Sequence, residues 1–284
     1  MAQPQRSPQW YEAQYNNRAM VPEHPQIFAR WRESSERARD ALGGDLDVAF
    51  GEHPLQRLDV FRAKGRSQAL LLFIHGGYWR SLDKADFSFI APPLVERGVT
   101  VALNNYRLCP FASLDEVVRD NLAACAWLWR HARRVGADPD SIFVCGHSAG
   151  GHLTAMVMAA LWPSYAADLP ADLVKGGLAI SGLYDLGPLV YTNVNADLHL
   201  TDELVQRASP AFMSPATGAP LYTAVGGRES DEFKRQNRLL GERWQAVFKK
   251  DVPAPECNHF TVVEELARAD SAMFAALMRM MQTA

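Results

Sequence analysis

The sequence predicts an α/β fold: a mostly parallel central sheet with helices on both faces. Three observations predict it. Short apolar runs at residues 69–74 and, interrupted only by Thr100, at 99–103 read as strands buried on both sides. A long helix-period stretch at 114–134 follows them, with Leu114, Val117, Val118, Leu122, Cys125, Leu128 and Trp129 on one side. Further strand and helix signals then alternate to the C-terminus, which is the pattern of a parallel sheet.

The elements follow in order. Residues 1–26 are rich in Gln, Pro, Asn and aromatics and show no clear period. Residues 27–42 predict a helix with Ile27, Phe28, Trp31, Ala38 and Leu42 among charges, stopped by Gly43 and Gly44. Residues 1–50 are therefore expected to form an N-terminal arm packed on a main domain of residues 51–284. Leu58, Val60 and Phe61 predict an early strand. Beyond 134, strands are expected at 141–145, 178–180, 221–225 and 247–252, and helices from about Ser148 and at 231–246, 261–268 and 271–282. Residues 184–207 fall where a small cap or lid would be inserted.

Composition excludes several classes. Hydrophobic residues are 48% and charged residues 21% of 284, as in ordinary globular chains. A formal net charge of -3 leaves no electrostatic footprint for nucleic acid or an anionic membrane. The longest apolar runs, at 122–129 and 155–162, have eight residues, far below a bilayer span. The opening MAQPQRSPQW has no apolar core of a signal peptide, so a cytoplasmic protein is expected. The four cysteines, Cys109, Cys125, Cys145 and Cys257, show no CxxC pairing and are read as free thiols.

In such sheets, sites form beyond the carboxyl ends of the strands. After the strand at 141–145 comes Gly146-His147-Ser148-Ala149-Gly150-Gly151, a GxSxG between strand and helix. A serine on so sharp a turn is held out for attack, and the glycines at 146 and 150 leave room for strand and helix to approach. It also lies near a helix N-terminus, which favours developing negative charge. Ser148 is the candidate nucleophile. After the strand at 69–74 comes His75-Gly76-Gly77-Tyr78-Trp79. Acyl transfer needs hydrogen-bond donors fixed in advance for an oxyanion. The N–H of Ala149 is one candidate; Gly77, with Gly76 or Tyr78 beside it, supplies the other. His75 is read as fixing this loop.

The base should be a histidine after the acid in chain order. His152 lies on the nucleophile's own helix and is read as structural, and His199 precedes every plausible acid strand. His259, after the last expected strand, is the candidate base. The acid should follow the strand at 221–225, where Glu229 and Asp231 compete and Glu232 is read as starting the helix. Glu229 is preferred because it comes three residues after Gly226. Among eight histidines there is no HExxH and no pair four residues apart, and no phosphate loop or GxGxxG occurs. Neither a metal nor a cofactor is therefore expected. Tyr78, Trp79, Tyr184 and Tyr191 are candidate walls for the aromatic side of a substrate pocket. The aromatic arm at 10–42 is also a candidate contact for a homodimer.

These residues resemble the serine-hydrolase type of kynurenine formamidase (arylformamidase), within the α/β-hydrolase superfamily and near its hormone-sensitive-lipase-like esterases. HGGYW at 75–79 resembles the family's HGGxW signature. Asn105-Tyr106-Arg107-Leu108 with Pro110 is similar to a DYRLAP-like stretch of the wider esterases, with Asn in place of Asp. GHSAGGHL at 146–153, SGLYDLGPLVYTNVN at 181–195, Ser209-Pro210, VGGRESDEF at 225–233 with Arg235-Gln236, and NHFTVVEEL at 258–266 resemble further segments. The likeness runs from about Trp10 to the C-terminus. It implies Ser148 as nucleophile, His259 as base, the acid at Glu229, and hydrolysis of a small aryl formamide or ester. Familiar members carry Asp at the acid position, so the Glu is a departure that keeps Asp231 in play.

Overall fold

A computed structural model describes residues 6–282; the first five residues of the expected arm and the last two of the chain lie outside it. Eight strands form one sheet: β1 (Asp45–Ala49), β2 (Arg57–Phe61), β3 (Ala69–Ile74), β4 (Val99–Asn104), β5 (Ile142–His147), β6 (Val174–Ile180), β7 (Leu221–Gly226) and β8 (Phe248–Ala254). Their spatial order is β1-β2-β4-β3-β5-β6-β7-β8. β1 and β2 run antiparallel, and every pair from β4 to β8 is parallel.

The middle strands are apolar because both faces are covered. Every residue of β3, β4 and β5 is buried. β8 is an edge strand, and its Lys249 and Lys250 stay exposed, which discourages pairing with another chain. β1 had no apolar signature because only Val48 in it is even half-buried.

Eleven α-helices flank the sheet among the described residues: α1 (Pro8–Tyr15), α2 (Asn17–Met20), α3 (His24–Leu42), α4 (Ala91–Glu96), α5 (Leu114–His131), α6 (Ala149–Met158), α7 (Trp162–Tyr165), α8 (Asn195–Leu198), α9 (Asp202–Ala208), α10 (Asp231–Arg243) and α11 (Ala272–Gln282). No described helix is long and apolar enough to cross a membrane. α5 starts at a capping box in which Ser113 and Glu116 exchange side-chain and backbone hydrogen bonds. Residues 261–267, read as a helix, form a 3₁₀ helix instead.

The first 26 residues depart most from expectation. α1 and α2 are regular helices, with Ser7 capping α1 through the Trp10 N–H at 3.2 Å and Pro8 in its first turn. α1 packs on α10, and Tyr15 is buried beside Phe233 at 5.7 Å between ring centroids. This short helix is held by distant partners more than by its own period.

Candidate active site

β5 delivers Ser148 into a backbone conformation with φ 59° and ψ -117°. A non-glycine residue rarely adopts it, and the surroundings must hold it there. The Ser148 N–H donates to the Ile180 carbonyl at 2.8 Å. A Cβ at Gly150 would lie 1.9 Å from the Ile74 carbonyl oxygen, so α6 can cross β3 this closely only with glycine there.

Three predicted side chains meet although they come from three separate loops. The Ser148 hydroxyl lies 3.0 Å from His259 Nε2, and His259 Nδ1 lies 2.6 Å from Glu229 Oε2. All three residues are buried, and Phe233 packs on the imidazole at 4.5 Å. The carboxylate favours the tautomer with its proton on Nδ1, leaving Nε2 free to accept from the serine. Glu229 Oε1 accepts from Ser181 Oγ at 2.5 Å and from the Gly226 N–H at 2.6 Å. Asp231 instead stands exposed in the first turn of α10, where its charge suits the helix N-terminus.

Ser181 escaped the sequence reading. Its sequence signals are its place directly after β6, at a carboxyl end of the sheet, and its position at the head of the family-like segment 181–195. Its φ of 49° turns the chain toward Glu229, 48 residues away.

The loop after β3 runs against the nucleophile. A Cβ at Gly76 would lie 3.0 Å from Ser148 Cβ. Gly77 has φ 106° and a Cβ there would strike the Ser81 carbonyl oxygen at 2.1 Å. Tyr78 and Trp79 follow with φ 50° and 57°. Among the described residues the N–H groups of Gly77, Tyr78 and Ala149 meet no protein acceptor. His75 steadies the loop: its Nδ1 lies 2.7 Å from the Gly76 carbonyl, and its ring stacks on Tyr106 at 4.4 Å. Burial lowers its pKa to about 4, so it stays neutral.

Two further histidines are neutral for the same reason. Burial, with a smaller push from nearby His259, holds His147 well below its ordinary value. Its Nε2 lies 2.7 Å from the His259 backbone carbonyl and fixes the histidine loop. Burial lowers His152 to about 4, and its Nε2 lies 2.7 Å from the Ala208 carbonyl. No group of three or more His, Cys, Asp or Glu suited to a metal gathers among the described residues.

A cavity of about 350 Å³ opens over Ser148 and His259. Of the four aromatics expected to wall it, Tyr78 does. Trp79 is fully buried and donates Nε1–H to His152 Nδ1 at 3.2 Å. Tyr184 is fully buried and its ring folds back beneath Gly182. Tyr191 stacks on Tyr11 at 5.6 Å, away from the cavity. The arm supplies the aromatic wall instead, through Tyr15, Phe28 and Trp31, and also contributes Asn17 and Arg18. Asn193 and Asp197 close the side formed by residues 184–207.

Comparisons with known proteins agree with this architecture. A family model described as BD-FAE matches residues 58–162. The chain is 32% identical over 265 residues to a kynurenine formamidase of Salmo salar, covering 88% of this chain and 86% of that one. A crystal structure of a candidate thioesterase from Silicibacter sp. superposes with a TM-score of 0.85 at 30% identity, covering 94% of this chain and 98% of that one. Esterase B of Lactobacillus rhamnosis shares the fold, with a TM-score of 0.68 at 18% identity over 93% of this chain and 96% of that one.

Proposed function

The chain belongs to the kynurenine formamidase family of α/β-hydrolases, and from that premise we propose that it cleaves small aryl formamides through an acyl-enzyme on Ser148. It is a hydrolase of the class that acts on formamides and esters. The finer reading rests on one observation: an unbroken relay from Ser148 Oγ through His259 to Glu229, at 3.0 and 2.6 Å.

His259 takes the serine proton as Oγ attacks the formyl carbon. Glu229 holds the imidazole in the needed tautomer and stabilises the imidazolium that forms. Its second oxygen already receives two donors, Ser181 and the Gly226 N–H, so the carboxylate is held in one orientation. The oxyanion settles on the N–H groups of Gly77 and Ala149, with Gly76 or Tyr78 beside them. Each such donor is worth roughly 3 kcal/mol in the transition state. His259 then hands its proton to the leaving arylamine. Water, activated by the same imidazole, releases formate and restores Ser148. An amide needs that second proton transfer more than an ester does, because an amine anion leaves poorly.

The arm and residues 184–207 form the outer wall of this pocket and act together as its cover. Glu12 joins them, accepting the Asn193 N–H at 2.8 Å.

The test compares kcat/KM on N-formyl-L-kynurenine and on p-nitrophenyl acetate, with Ser148→Ala as blank. Formamide turnover of about 10⁴ M⁻¹s⁻¹ or more, absent in the variant, is the expected result. Turnover of the ester alone would favour the second reading, an esterase for small acyl groups. The likeness to a candidate thioesterase at 30% identity is the observation on that side.

A further inference from the structure

The cavity carries four charged side chains, and three are already engaged. Arg80 pairs with Asp197. Glu12 accepts from the Asn193 N–H at 2.8 Å and from Asn16 Nδ2 at 3.0 Å. Arg18 is the fourth, and no carboxylate among the described residues pairs with it. Its guanidinium instead rests over the Phe28 ring, 5.8 Å from the centroid, which orients the cation without neutralising it.

The preceding residue is short of a partner too. Asn17 is 4% exposed and lines the same cavity, and its Nδ2 has no acceptor. A buried donor left unmatched is unfavourable until something supplies an acceptor. Two adjacent residues of the arm thus line one cavity with Ser148: Asn17, whose buried amide donor has no acceptor, and Arg18, an exposed planar cation with no carboxylate partner among the described residues. A carboxylate meets both needs: one oxygen for the amide, both for a bidentate guanidinium.

We propose that Asn17 and Arg18 form a subsite for a carboxylate carried on the leaving-group side of the substrate, so that the arm selects anionic substrates. This rests on the hydrolase reading above, with the reaction at Ser148. A formyl group is too small to span the cavity, so the arm faces whatever the acyl group is attached to.

The experiment is a specificity ratio, measured in the full-length protein. kcat/KM is compared for N-formyl-L-kynurenine and its α-carboxamide, which differ only in the anionic group. In the wild type the acid is expected to be favoured tenfold or more. Arg18→Gln should cut that ratio at least tenfold, mainly through the KM of the acid, and Arg18→Lys should restore part of it. Asn17→Ala should reduce the ratio less. A general folding fault cancels in the ratio. A ratio within twofold of wild type in Arg18→Gln, or none in the wild type to lose, overturns the subsite. If neither formamide is turned over, the formamidase reading fails by itself. The subsite is then judged by L-kynurenine and its carboxamide as inhibitors of p-nitrophenyl acetate hydrolysis. A preference for the acid that Arg18→Gln abolishes supports it, and equal inhibition overturns it.

Discussion

The Tyr78 hydroxyl donates to the backbone carbonyl of Tyr15 at 2.6 Å, tying the loop that faces Ser148 to the N-terminal arm. Burial raises the Tyr78 pKa, so the phenol stays protonated and keeps donating. Tyr15 continues the chain of contacts, donating to Glu232 Oε2 at 2.6 Å and accepting from Gln236 Nε2 at 3.0 Å. Glu232 lies three residues beyond Glu229. The arm, the loop after β3 and the start of α10 are thereby one hydrogen-bonded unit.

Tyr78→Phe should therefore weaken both stability and catalysis. It leaves the Tyr15 carbonyl without its donor, at about 1–3 kcal/mol. In a chain of this size the melting temperature should fall by about 2–4 °C per kcal/mol. kcat should drop about tenfold as the loop loses its tether, a loss of roughly 1.4 kcal/mol in transition-state stabilisation. A thermal melt beside steady-state kinetics checks both. Wild-type values in both would show that the link carries no load.

Glu229→Gln should lower kcat by about 10³–10⁴, as removal of the orienting charge does in comparable relays. Asp231→Asn should change it less than twofold, because that side chain only faces solvent at the start of α10. Burst and steady-state kinetics on p-nitrophenyl acetate separate the two. The reverse ranking would move the acid's role to Asp231.

The three buried neutral histidines predict how stability depends on pH. The pKa values of His75 and His152 are lowered to about 4, and that of His147 well below 6.5. Unfolded, each would titrate near pH 6.5. Between pH ~6.5 and ~4 the unfolded chain therefore binds more protons than the folded one. Their contribution is fully present above pH ~6.5 and is lost as pH falls toward 4. Each histidine contributes a slope of up to about 1.4 kcal/mol per pH unit in that window. Urea midpoints should be flat from pH 8 to 7 and fall steeply from 6 to 5. A flat profile down to pH 5 would contradict neutral burial of these rings.

Gly77→Ala should inactivate the enzyme. The residue sits at φ 106°, and its new methyl would meet the Ser81 carbonyl oxygen at 2.1 Å. The loop must move, and its N–H groups move with it. kcat should fall about 100-fold or more, the usual scale for losing an oxyanion donor. Circular dichroism should remain native. Full activity with native structure would remove Gly77 from the oxyanion role.

Seven of the eight strands, all but β1, and the candidate reacting residues were legible in the sequence because both are written locally. A buried parallel strand is a short apolar run. The turn at Ser148 demands its glycines. Glu229 and His259 stand just past β7 and β8, the strands that follow β5 and β6 across the sheet. What only the tertiary structure decided was the surroundings of those residues. Ser181 and Glu229 meet across 48 residues, and nothing in the stretch around either announces the other. The aromatics show the same limit. Trp79 and Tyr184 are core, whereas Tyr15, Phe28 and Trp31, more than a hundred residues before Ser148, line its cavity. Apolar burial is non-directional, so composition reports that a ring is buried and not which surface it faces. That direction is set by how the arm packs on α10 and on residues 184–207, contacts that bring together parts of the chain far apart in sequence.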